Sequence, residues 1–297
     1  MLNKGRCGYV AIVGRPNVGK STLMNYFLGQ KLCITSRKPQ TTRHSLLGIK
    51  NKNNNQIIYI DTPGIHKRMH NAMNRYLNRA AISSIEGVDV IVWLVESLQW
   101  TAEDSYVLKT LADSSIAIIL AVNKVDKVSD KNVLLPYLQK VTAKHNFTEV
   151  FPISALKNQN LDQLESKIIN LLPVGIPLFP EEQITDRTEQ FLCAEIVREK
   201  LVRRLGDELP YRITVQIEHF KTYNNVNHIS ALIWVETEGQ KGIIIGKKGQ
   251  TLKSIGKEAR EDMEILLAHK VYLQLWVKVK RGWCDNERAL QQLGYSM

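Results

Sequence analysis

The fold is decided by one stretch of the sequence, Gly14-Arg15-Pro16-Asn17-Val18-Gly19-Lys20-Ser21. This stretch matches the pattern G-x-x-x-x-G-K-[ST], and it lies between an apolar run, Tyr9 to Val13, and a predicted helix, Lys20 to Leu28. Glycines at both ends let the backbone wrap around a phosphate with its N–H groups pointing inward. The N-terminus of the following helix also favours an anion. A chance glycine-rich turn is the competing interpretation, but the strand–loop–helix context favours a phosphate-binding loop.

The first 172 residues alternate short apolar runs with helical stretches. Several runs are apolar nearly throughout, as expected for parallel strands that are buried on both faces. The predicted strands are Tyr9 to Val13, Gln56 to Ile60, Val88 to Val95, Ile116 to Val122 and Glu149 to Ile153, and the intervening helices include Ala72 to Ile85 and Leu161 to Leu172. Asn51 to Asn55 suits the tip of a hairpin. The pattern predicts an α/β, doubly wound domain.

A second, smaller α+β domain is predicted after a connector that carries three prolines. We expect domain boundaries at 1–172 and 186–297, with residues 173–185 as the linker. The predicted elements of the second domain are a helix (Glu189 to Leu205), two strands (Tyr211 to Phe220 and His228 to Thr237), a Gly-Lys-rich loop, a helix (Thr251 to Leu267) and a strand (Tyr272 to Lys280).

Composition restricts the class of protein and of partner. The chain has 297 residues and a net charge of +11, which favours a polyanionic partner. Residues 1–179 carry 22 Lys and Arg against 12 Asp and Glu, whereas residues 180–297 carry 18 against 17. The four cysteines form no C-x-x-C pair, which excludes the usual zinc-ribbon spacings. No apolar run has the length of a signal peptide or a membrane span, so we expect a cytoplasmic protein.

The motifs after the phosphate-binding loop predict a magnesium and triphosphate site. Lys20 is expected to neutralise the β- and γ-phosphates, and the Ser21 hydroxyl to ligate Mg²⁺. Asp61-Thr62-Pro63-Gly64 follows a predicted strand, so that Asp61 can hold the metal and the Gly64 N–H can meet a γ-phosphate. Thr41 or Thr42 is the candidate for a second magnesium hydroxyl, and a solvated loop is the alternative for this pair. An ordinary turn is the alternative for Asp61 to Gly64.

Two further motifs predict that the base is guanine. Asn123-Lys124-Val125-Asp126 follows the run that ends at Val122. The Asp126 carboxylate can accept from the two adjacent donors of guanine, which adenine lacks. The stem of Lys124 is expected to lie across the base, and Asn123 to tie its loop to the phosphate-binding loop. Ser154-Ala155 follows the fifth run, and the Ala155 N–H can donate to guanine O6.

Ile65 predicts slow hydrolysis. This residue follows Gly64, where many related GTPases have a glutamine that orients the attacking water. An isoleucine side chain has no polar atom for that role. We therefore expect slow intrinsic turnover, with Lys20, Thr42 and Gly64 as the catalytic contacts.

The second domain contains a candidate RNA-binding loop. Ile245-Gly246-Lys247-Lys248-Gly249 precedes a helix with an apolar face, and Lys253 follows in that helix. A G-x-x-G loop with lysines at its tip can pack against a nucleic-acid backbone. Lys278 and Lys280 lie on one face of the last predicted strand, in a segment from Ile265 to Cys284 that has no acidic residue. A surface turn and a solvated strand face are the alternatives.

With both halves considered, the whole chain resembles the bacterial Era family, a GTPase domain followed by a type II KH domain. The resemblance rests on GRPNVGKS (14–21), PQTTRH (39–44), DTPGIH (61–66), NKVD (123–126), SAL (154–156), ELPY (208–211), IIIGKKG (243–249) and LQLWVKVKRGW (273–283).

The resemblance implies a role in ribosome assembly. It implies a GTP-dependent, monomeric protein that uses Mg²⁺, binds the 3′ end of small-subunit ribosomal RNA, and has some contact with the inner membrane surface. Asn17 resembles the asparagine that holds K⁺ in related GTPases, so K⁺ is an open option. Two alternatives stay open: a membrane-surface regulatory GTPase, and a constitutive RNA chaperone whose nucleotide site is structural.

Overall fold

The structure, a computed structural model, describes residues 5–36, 38, 40–65, 72–206 and 212–295. The described chain divides into two compact units. The first contains residues up to 33, 42–65 and 74–186, and the second contains 34–41, 72–73 and 187–295. Among the described residues, no helix combines the length and apolarity that crossing a membrane requires.

The first unit is built on a six-stranded sheet with the order β2-β3-β1-β4-β5-β6. Neighbouring strands are parallel except for β2, which pairs antiparallel with β3. The strands are β1 (Cys7–Val13), β2 (Leu46–Lys52), β3 (Asn55–Asp61), β4 (Val90–Glu96), β5 (Ala117–Asn123) and β6 (Glu149–Pro152). The helices that follow these strands in the chain are α1 (Lys20–Leu28), α2 (Ala72–Ser83), α3 (Ala102–Leu111), α4 (Leu134–Thr142) and α5 (Leu161–Leu171). The predicted α/β, doubly wound fold is confirmed.

This topology places the functional loops together. Val10 to Val13 of β1 and Val90 to Val95 of β4 are fully buried, which explains their continuous apolar sequences. Because these central strands are parallel, their carboxyl ends lie at one edge of the sheet. The loops that follow β1, β3, β5 and β6 are the four that carry the predicted nucleotide motifs.

The second unit contains a three-stranded sheet with the order β7-β8-β9. Its strands are β7 (Thr214–Tyr223), β8 (Val226–Val235) and β9 (Lys270–Val279), with β7 antiparallel and β9 parallel to β8. Its helices are α6 (Glu189–Arg204), α7 (Glu238–Ile245), α8 (Gln250–Leu267) and α9 (Glu287–Gln292). Apolar side chains of α6 and α8 pack with alternate residues of the strands in one core. The helices α6 and α8 therefore cover one face of the sheet.

The sequence prediction missed α7, whose residues we expected to lie in a Gly-Lys-rich loop. Thr237 and Gln240 form a reciprocal capping box that starts this helix, and Ile244 is fully buried. The helix ends where Gly246 adopts a φ of 70°. The loop is thus reduced to Gly246 to Gly249, because burial of one isoleucine and a good cap outweigh two glycines within α7.

Residues 173–185 contact the sheet of the first unit. The Cys7 N–H donates to Pro173 O (3.0 Å), and the Ile49 N–H donates to Ile184 O (2.9 Å). Between these points, the Gln56 side-chain oxygen accepts from the backbone N–H groups of Leu178 (2.7 Å) and Phe179 (2.9 Å). The connector is therefore ordered by backbone pairing and by one buried amide.

Candidate nucleotide site and nucleic-acid interface

The loop between β1 and α1 is shaped by positive backbone angles. Gly14 has a φ of 147°, Asn17 of 62° and Gly19 of 106°. A Cβ at Gly14 would lie 2.5 Å from Leu94 O, and one at Gly19 would lie 2.4 Å from Asn123 Nδ2. Both glycines are therefore required by their backbone angles and by close neighbours. No side chain caps the N-terminus of α1, which leaves its first N–H groups available to a phosphate.

Lys20 is buried inside this loop. Its Nζ donates to Gly14 O and Arg15 O, each at 3.1 Å. Burial lowers the pKa of Lys20 to about 8, although the nearby Asp61 carboxylate opposes that change. A triphosphate would favour the charged ammonium, so binding of the nucleotide and protonation of Lys20 are coupled.

Ser21, Thr42 and Asp61 bring two hydroxyl oxygens and a carboxylate together. Asp61 Oδ2 accepts from Ser21 Oγ (2.8 Å) and Thr42 Oγ1 (3.2 Å), and the two hydroxyl oxygens are 2.9 Å apart. Among the described residues, the buried Asp61 Oδ1 has no hydrogen-bond partner, and burial raises the pKa of this carboxyl. Hydroxyl and carboxylate oxygens with an unsatisfied acceptor fit the ligand preference of Mg²⁺.

The structure separates Thr41 from Thr42. The Thr41 hydroxyl donates to Lys38 O at 2.7 Å, whereas the Thr42 hydroxyl contacts Ser21 and Asp61. Of the two threonines, Thr42 is therefore the one that has the geometry of a magnesium ligand.

Asp61 to Ile65 are all buried, and several residues of this segment make structural contacts within the first unit. The Thr62 hydroxyl donates to Ile12 O (2.9 Å), so it holds β3 to β1. Pro63 precedes Gly64, where a Cβ would lie 2.6 Å from Pro16 Cγ. The Ile65 side chain is fully buried in the sheet core, and its N–H donates to Gly14 O (3.3 Å). Ile65 thus packs in the core and offers a reacting water no polar atom.

Asn123 joins three of the loops. Its Nδ2 donates to Val18 O (2.7 Å), and its Oδ1 accepts from the Ala155 N–H (2.9 Å). The Val125 N–H donates to Ile153 O (3.2 Å), which holds the same loop to the end of β6. Asn123 therefore ties its loop to the phosphate-binding loop, as expected, and it also engages the Ala155 N–H that we assigned to guanine O6.

Asp126 and Lys124 are the two residues that we predicted to contact the base. Asp126 is exposed, and its Oδ1 accepts from Ser154 Oγ at 2.5 Å, which fixes the carboxylate at the mouth of the site. Lys124 has a φ of 67°, and its Nζ donates to Glu96 Oε2 at 2.8 Å. The ammonium of Lys124 is thus held by Glu96 at the end of β4.

Glu96 is a residue of this site that the motif analysis missed. At the end of β4, it pairs with Lys124, with Arg15 (3.1 Å) and with Lys127 (3.8 Å). Its pKa is lowered: burial would raise it, but the hydrogen bond and charge of Lys124 and the charge of Arg15 outweigh that effect. Arg15 also contacts Asp104 (3.2 Å), so its side chain contributes to the loop's support. The sequence does contain a signal for Glu96, because it is a carboxylate at the end of a buried parallel strand.

The loop between α7 and α8 has the geometry of a backbone anion site. Gly246, Lys248 and Gly249 have φ values of 70°, 50° and 76°. A Cβ at Gly246 would lie 2.1 Å from Thr251 Oγ1, so only glycine fits there. Lys247 and Lys248 are exposed, and α8 begins without a side-chain cap. Its first N–H groups are thus oriented toward the same loop.

The candidate RNA-binding residues lie on two different faces of the second unit. Ile245 and Lys253 flank the loop, on α7 and α8. Side chains alternate along β9, so Lys278 and Lys280 lie on the same face of the sheet as Trp276. Val277 and Val279 lie on the opposite face and pack in the core beneath α8. The structure therefore does not bring Lys278 and Lys280 to the Gly246 to Gly249 loop.

Known proteins match this chain over nearly its full length, both units included. The GTPase Era of Marinobacter nauticus is 57% identical to this chain over 293 residues, which are 99% of this chain and 96% of that protein. The chain belongs to the Era family of GTPases. The Era protein of Pseudomonas aeruginosa is likewise 57% identical over 290 residues, 98% of this chain and 95% of its own length. The resemblance inferred from the motifs is confirmed.

Family models and solved structures agree with this assignment. Residues 9–124 match a family described as 50S ribosome-binding GTPase, and residues 208–284 match the KH domain. An Aquifex aeolicus Era variant bound to GDP and aluminium fluoride has a TM-score of 0.95 and 42% identity, and covers 98% of this chain and all of that chain. An Era complex with MgGDPNP and nucleotides 1506–1542 of 16S ribosomal RNA has a TM-score of 0.96 and 42% identity, and covers 99% of this chain and all of that one.

Parts of three motifs lie outside the described residues. These are Pro39 of the segment 39–44, His66 of the segment 61–66, and all of the segment 208–211.

Proposed function

We propose that this Era family GTPase is a slow GTP-hydrolysing switch that binds the 3′ end of small-subunit ribosomal RNA during assembly of the subunit. One observation carries the proposal: the full-length likeness to an Era structure that holds both MgGDPNP and 16S ribosomal RNA. The nucleotide loops and the Gly246 to Gly249 loop of this chain have the local geometry that these two ligands need. Residues 1–172 would be the nucleotide part and 186–297 the RNA part, with 173–185 between them.

The nucleotide would be held by backbone and side-chain groups with separate roles. The N–H groups from Gly14 to Ser21 and the Lys20 ammonium would bind the phosphates, while Asp126 and Lys124 would select and cover guanine. Ser21, Thr42 and Asp61 would hold Mg²⁺, which neutralises charge on the β- and γ-phosphates when bound. K⁺ at Asn17 stays a prediction.

Hydrolysis would be slow because none of the residues that would contact the nucleotide activates the water. Water must attack the γ-phosphorus and release GDP and phosphate. Gly64 would donate its N–H to the γ-phosphate, but the next side chain, Ile65, is buried in the core. The residues that would contact the phosphates stabilise charge without orienting the nucleophile. This arrangement suits a switch with a long-lived GTP state better than a high-turnover enzyme.

The proposal is tested by measuring RNA affinity in each nucleotide state. A fluorescent RNA with the 3′-terminal sequence of small-subunit ribosomal RNA is titrated with the full chain, in GDP or in a non-hydrolysable GTP analogue, at several salt concentrations. We expect about tenfold tighter binding with the analogue, within the usual range of coupling between two sites. Lys20→Ala should remove this difference.

Equal affinities in both states would contradict the switch and would support the alternative of a constitutive RNA chaperone. In that case Lys20→Ala, provided that it folds, would retain full activity in subunit assembly.

We further propose a cytoplasmic location, because the proposed partner, the small ribosomal subunit, is found there, with peripheral contact at the inner membrane surface. The charge of residues 1–179 supports this contact, since 22 basic against 12 acidic residues attract anionic lipid. Sedimentation with phosphatidylglycerol vesicles at physiological salt is the test. Absence of binding would exclude the membrane contact without affecting the RNA proposal.

A further inference from the structure

The sheet of the second unit has one face that α6 and α8 do not cover. We call it the open face, and it is formed by alternate residues of all three strands. Register places them in rows across the sheet: Tyr223, Val226 and Lys270; Lys221, His228 and Tyr272; His219, Ser230 and Gln274; Gln216, Leu232 and Trp276. In the last of these rows Leu232 is only 1% exposed, so there the open face is accessible at Trp276 and not at its centre. Successive rows are about 6.6 Å apart, two residues along a strand.

Aromatic side chains on this face are exposed to an unusual degree. Tyr223 is 68% exposed, Tyr272 52% and Trp276 57%. The ring of His228 lies between the two tyrosines, with centroids 6.5 Å from Tyr223 and 5.3 Å from Tyr272. Three large exposed rings add no core packing, and they create an apolar patch that indicates a binding surface.

The charge of the open face is positive. Lys221 of β7 lies beside His228, which separates it from Tyr272 in the same row. Lys270 and Lys278 lie near the two ends of β9, and their side chains are 80% and 57% exposed. Two of these lysines have an acidic partner: Lys278 pairs with Glu218 of β7 at 3.7 Å, and Lys270 pairs with Glu264 of α8 at 3.9 Å. The unit as a whole is nearly neutral, so this concentration of lysine is local and complements a polyanion.

Polar groups lie between the rings. Ser230 Oγ donates to Gln274 Oε1 at 3.3 Å, and Gln274 Nε2 donates to the Tyr272 hydroxyl at 3.3 Å. These amide and hydroxyl groups can exchange such weak bonds for bonds to the edges of a base. Exposed rings, polar groups between them and lysines at the margin are the three components of a stacking surface for single-stranded nucleic acid.

We propose that the open face is a second RNA-binding surface, on which Tyr272 and Trp276 stack unpaired bases and Lys221 contacts the backbone. It is distinct from the Gly246 to Gly249 loop, because that loop follows α7 and leads into α8 on the other side of the sheet. This inference rests on the proposed RNA-binding function. It adds a ligand class, single-stranded RNA bases, to a surface that the nucleotide site and the G-x-x-G loop leave unused.

The test separates the two surfaces by variants of the full chain. In a Lys247→Asp, Lys248→Asp background, the affinity for an oligoadenylate of about 12 nucleotides is measured by fluorescence anisotropy. The variants added to this background are Tyr272→Ala with Trp276→Ala, and the ring-preserving pair Tyr272→Phe with Trp276→Phe. Ile265→Ala is the matched control, since Ile265 is an apolar residue of α8 that is 82% exposed.

We expect the alanine pair to weaken oligoadenylate binding by about 25-fold, which is about fivefold for each lost stacking contact. The phenylalanine pair and Ile265→Ala should retain the affinity within about twofold. Thermal melting should be unchanged for all variants because the replaced side chains are exposed. Ultraviolet crosslinking should join the oligonucleotide to the peptide that contains residues 272 and 276.

Unchanged affinity of the alanine pair, or loss of all binding in the Lys247→Asp, Lys248→Asp background, would overturn the open-face proposal and leave the proposed function intact. Full affinity for the ribosomal RNA in that background would instead contradict the G-x-x-G loop assignment. Unchanged RNA binding together with lost binding to purified ribosomal proteins would assign the open face to a protein partner, which also overturns the proposal.

Discussion

The candidate nucleotide site and the Gly246 to Gly249 loop, which we propose binds RNA, are built in opposite ways. In the first, Lys20, Asp61 and Asn123 are buried, and each makes a hydrogen bond to the segment from Gly14 to Ser21. In the second, Lys247 and Lys248 are exposed at the tip of a short loop, and only the glycines are fixed by geometry. A small ligand with a fixed shape binds well to a preformed buried site, whereas a flexible polyanion is bound through many weak contacts with exposed charges. Substitutions should therefore have large, specific effects at the first site and graded, salt-dependent effects at the second.

The largest expected effect is that of Asp126→Asn on base selection. An amide presents a donor where guanine N1–H and the 2-amino group need an acceptor, so GTP affinity should fall about a thousandfold. Affinity for xanthosine triphosphate should rise, which calorimetric titration with both nucleotides would measure. Asp130→Asn is the matched control, because Asp130 caps a nearby turn through the Asn132 N–H. Undiminished GTP affinity would remove Asp126 from the base-reading role.

Ile65→Gln tests whether the buried position can be converted to a water-orienting one. Because Ile65 is fully buried in the core, an unpaired amide there should cost about 3 kcal/mol of unfolding free energy. Hydrolysis of GTP should not accelerate. Chemical denaturation and single-turnover hydrolysis are the measurements, and Ile65→Leu is the volume-matched control. A faster enzyme with unchanged stability would show that this side chain reaches the nucleotide.

Lys247→Asp with Lys248→Asp should weaken binding to the ribosomal RNA by about thirtyfold, from about 1 kcal/mol for each exposed contact. The slope of log affinity against log salt should become shallower by about 1.4, since two phosphate contacts are lost. GTP binding should be unchanged. Lys131→Asp with Lys140→Asp makes the same charge change at exposed positions of the first unit. An equal effect of that pair would attribute the loss to net charge rather than to the loop.

The smallest expected effect is a pH dependence of nucleotide binding. In the free protein the pKa of Lys20 is about 8, so at pH 7 its ammonium is charged and at pH 9 most of it is neutral. Binding of a triphosphate requires the charged form, and GTP affinity should therefore fall about tenfold between pH 7 and pH 9. Lys20→Arg keeps its charge over this range, and it reports any titration of other groups. Identical pH profiles for the two proteins would exclude Lys20 as the titrating group.

The sequence determined the nucleotide half of this protein almost completely. The motif order 14–21, 61–64, 123–126 and 154–155, each after an apolar run, sufficed because parallel buried strands bring their carboxyl ends to one edge. The order of such motifs along the chain therefore predicts that they lie together in the fold. The α/β fold and the family followed from the same pattern.

Packing between elements settles which residues become neighbours in a site. It distinguished Thr42 from Thr41, placed the Ile65 side chain in the core, brought Glu96 to Lys124, formed α7 around Ile244, and separated Lys278 and Lys280 from the Gly246 to Gly249 loop. Each of these outcomes depends on which direction a side chain faces or on a partner that is distant along the chain. Local sequence does not specify either of these, because both are set by packing between elements.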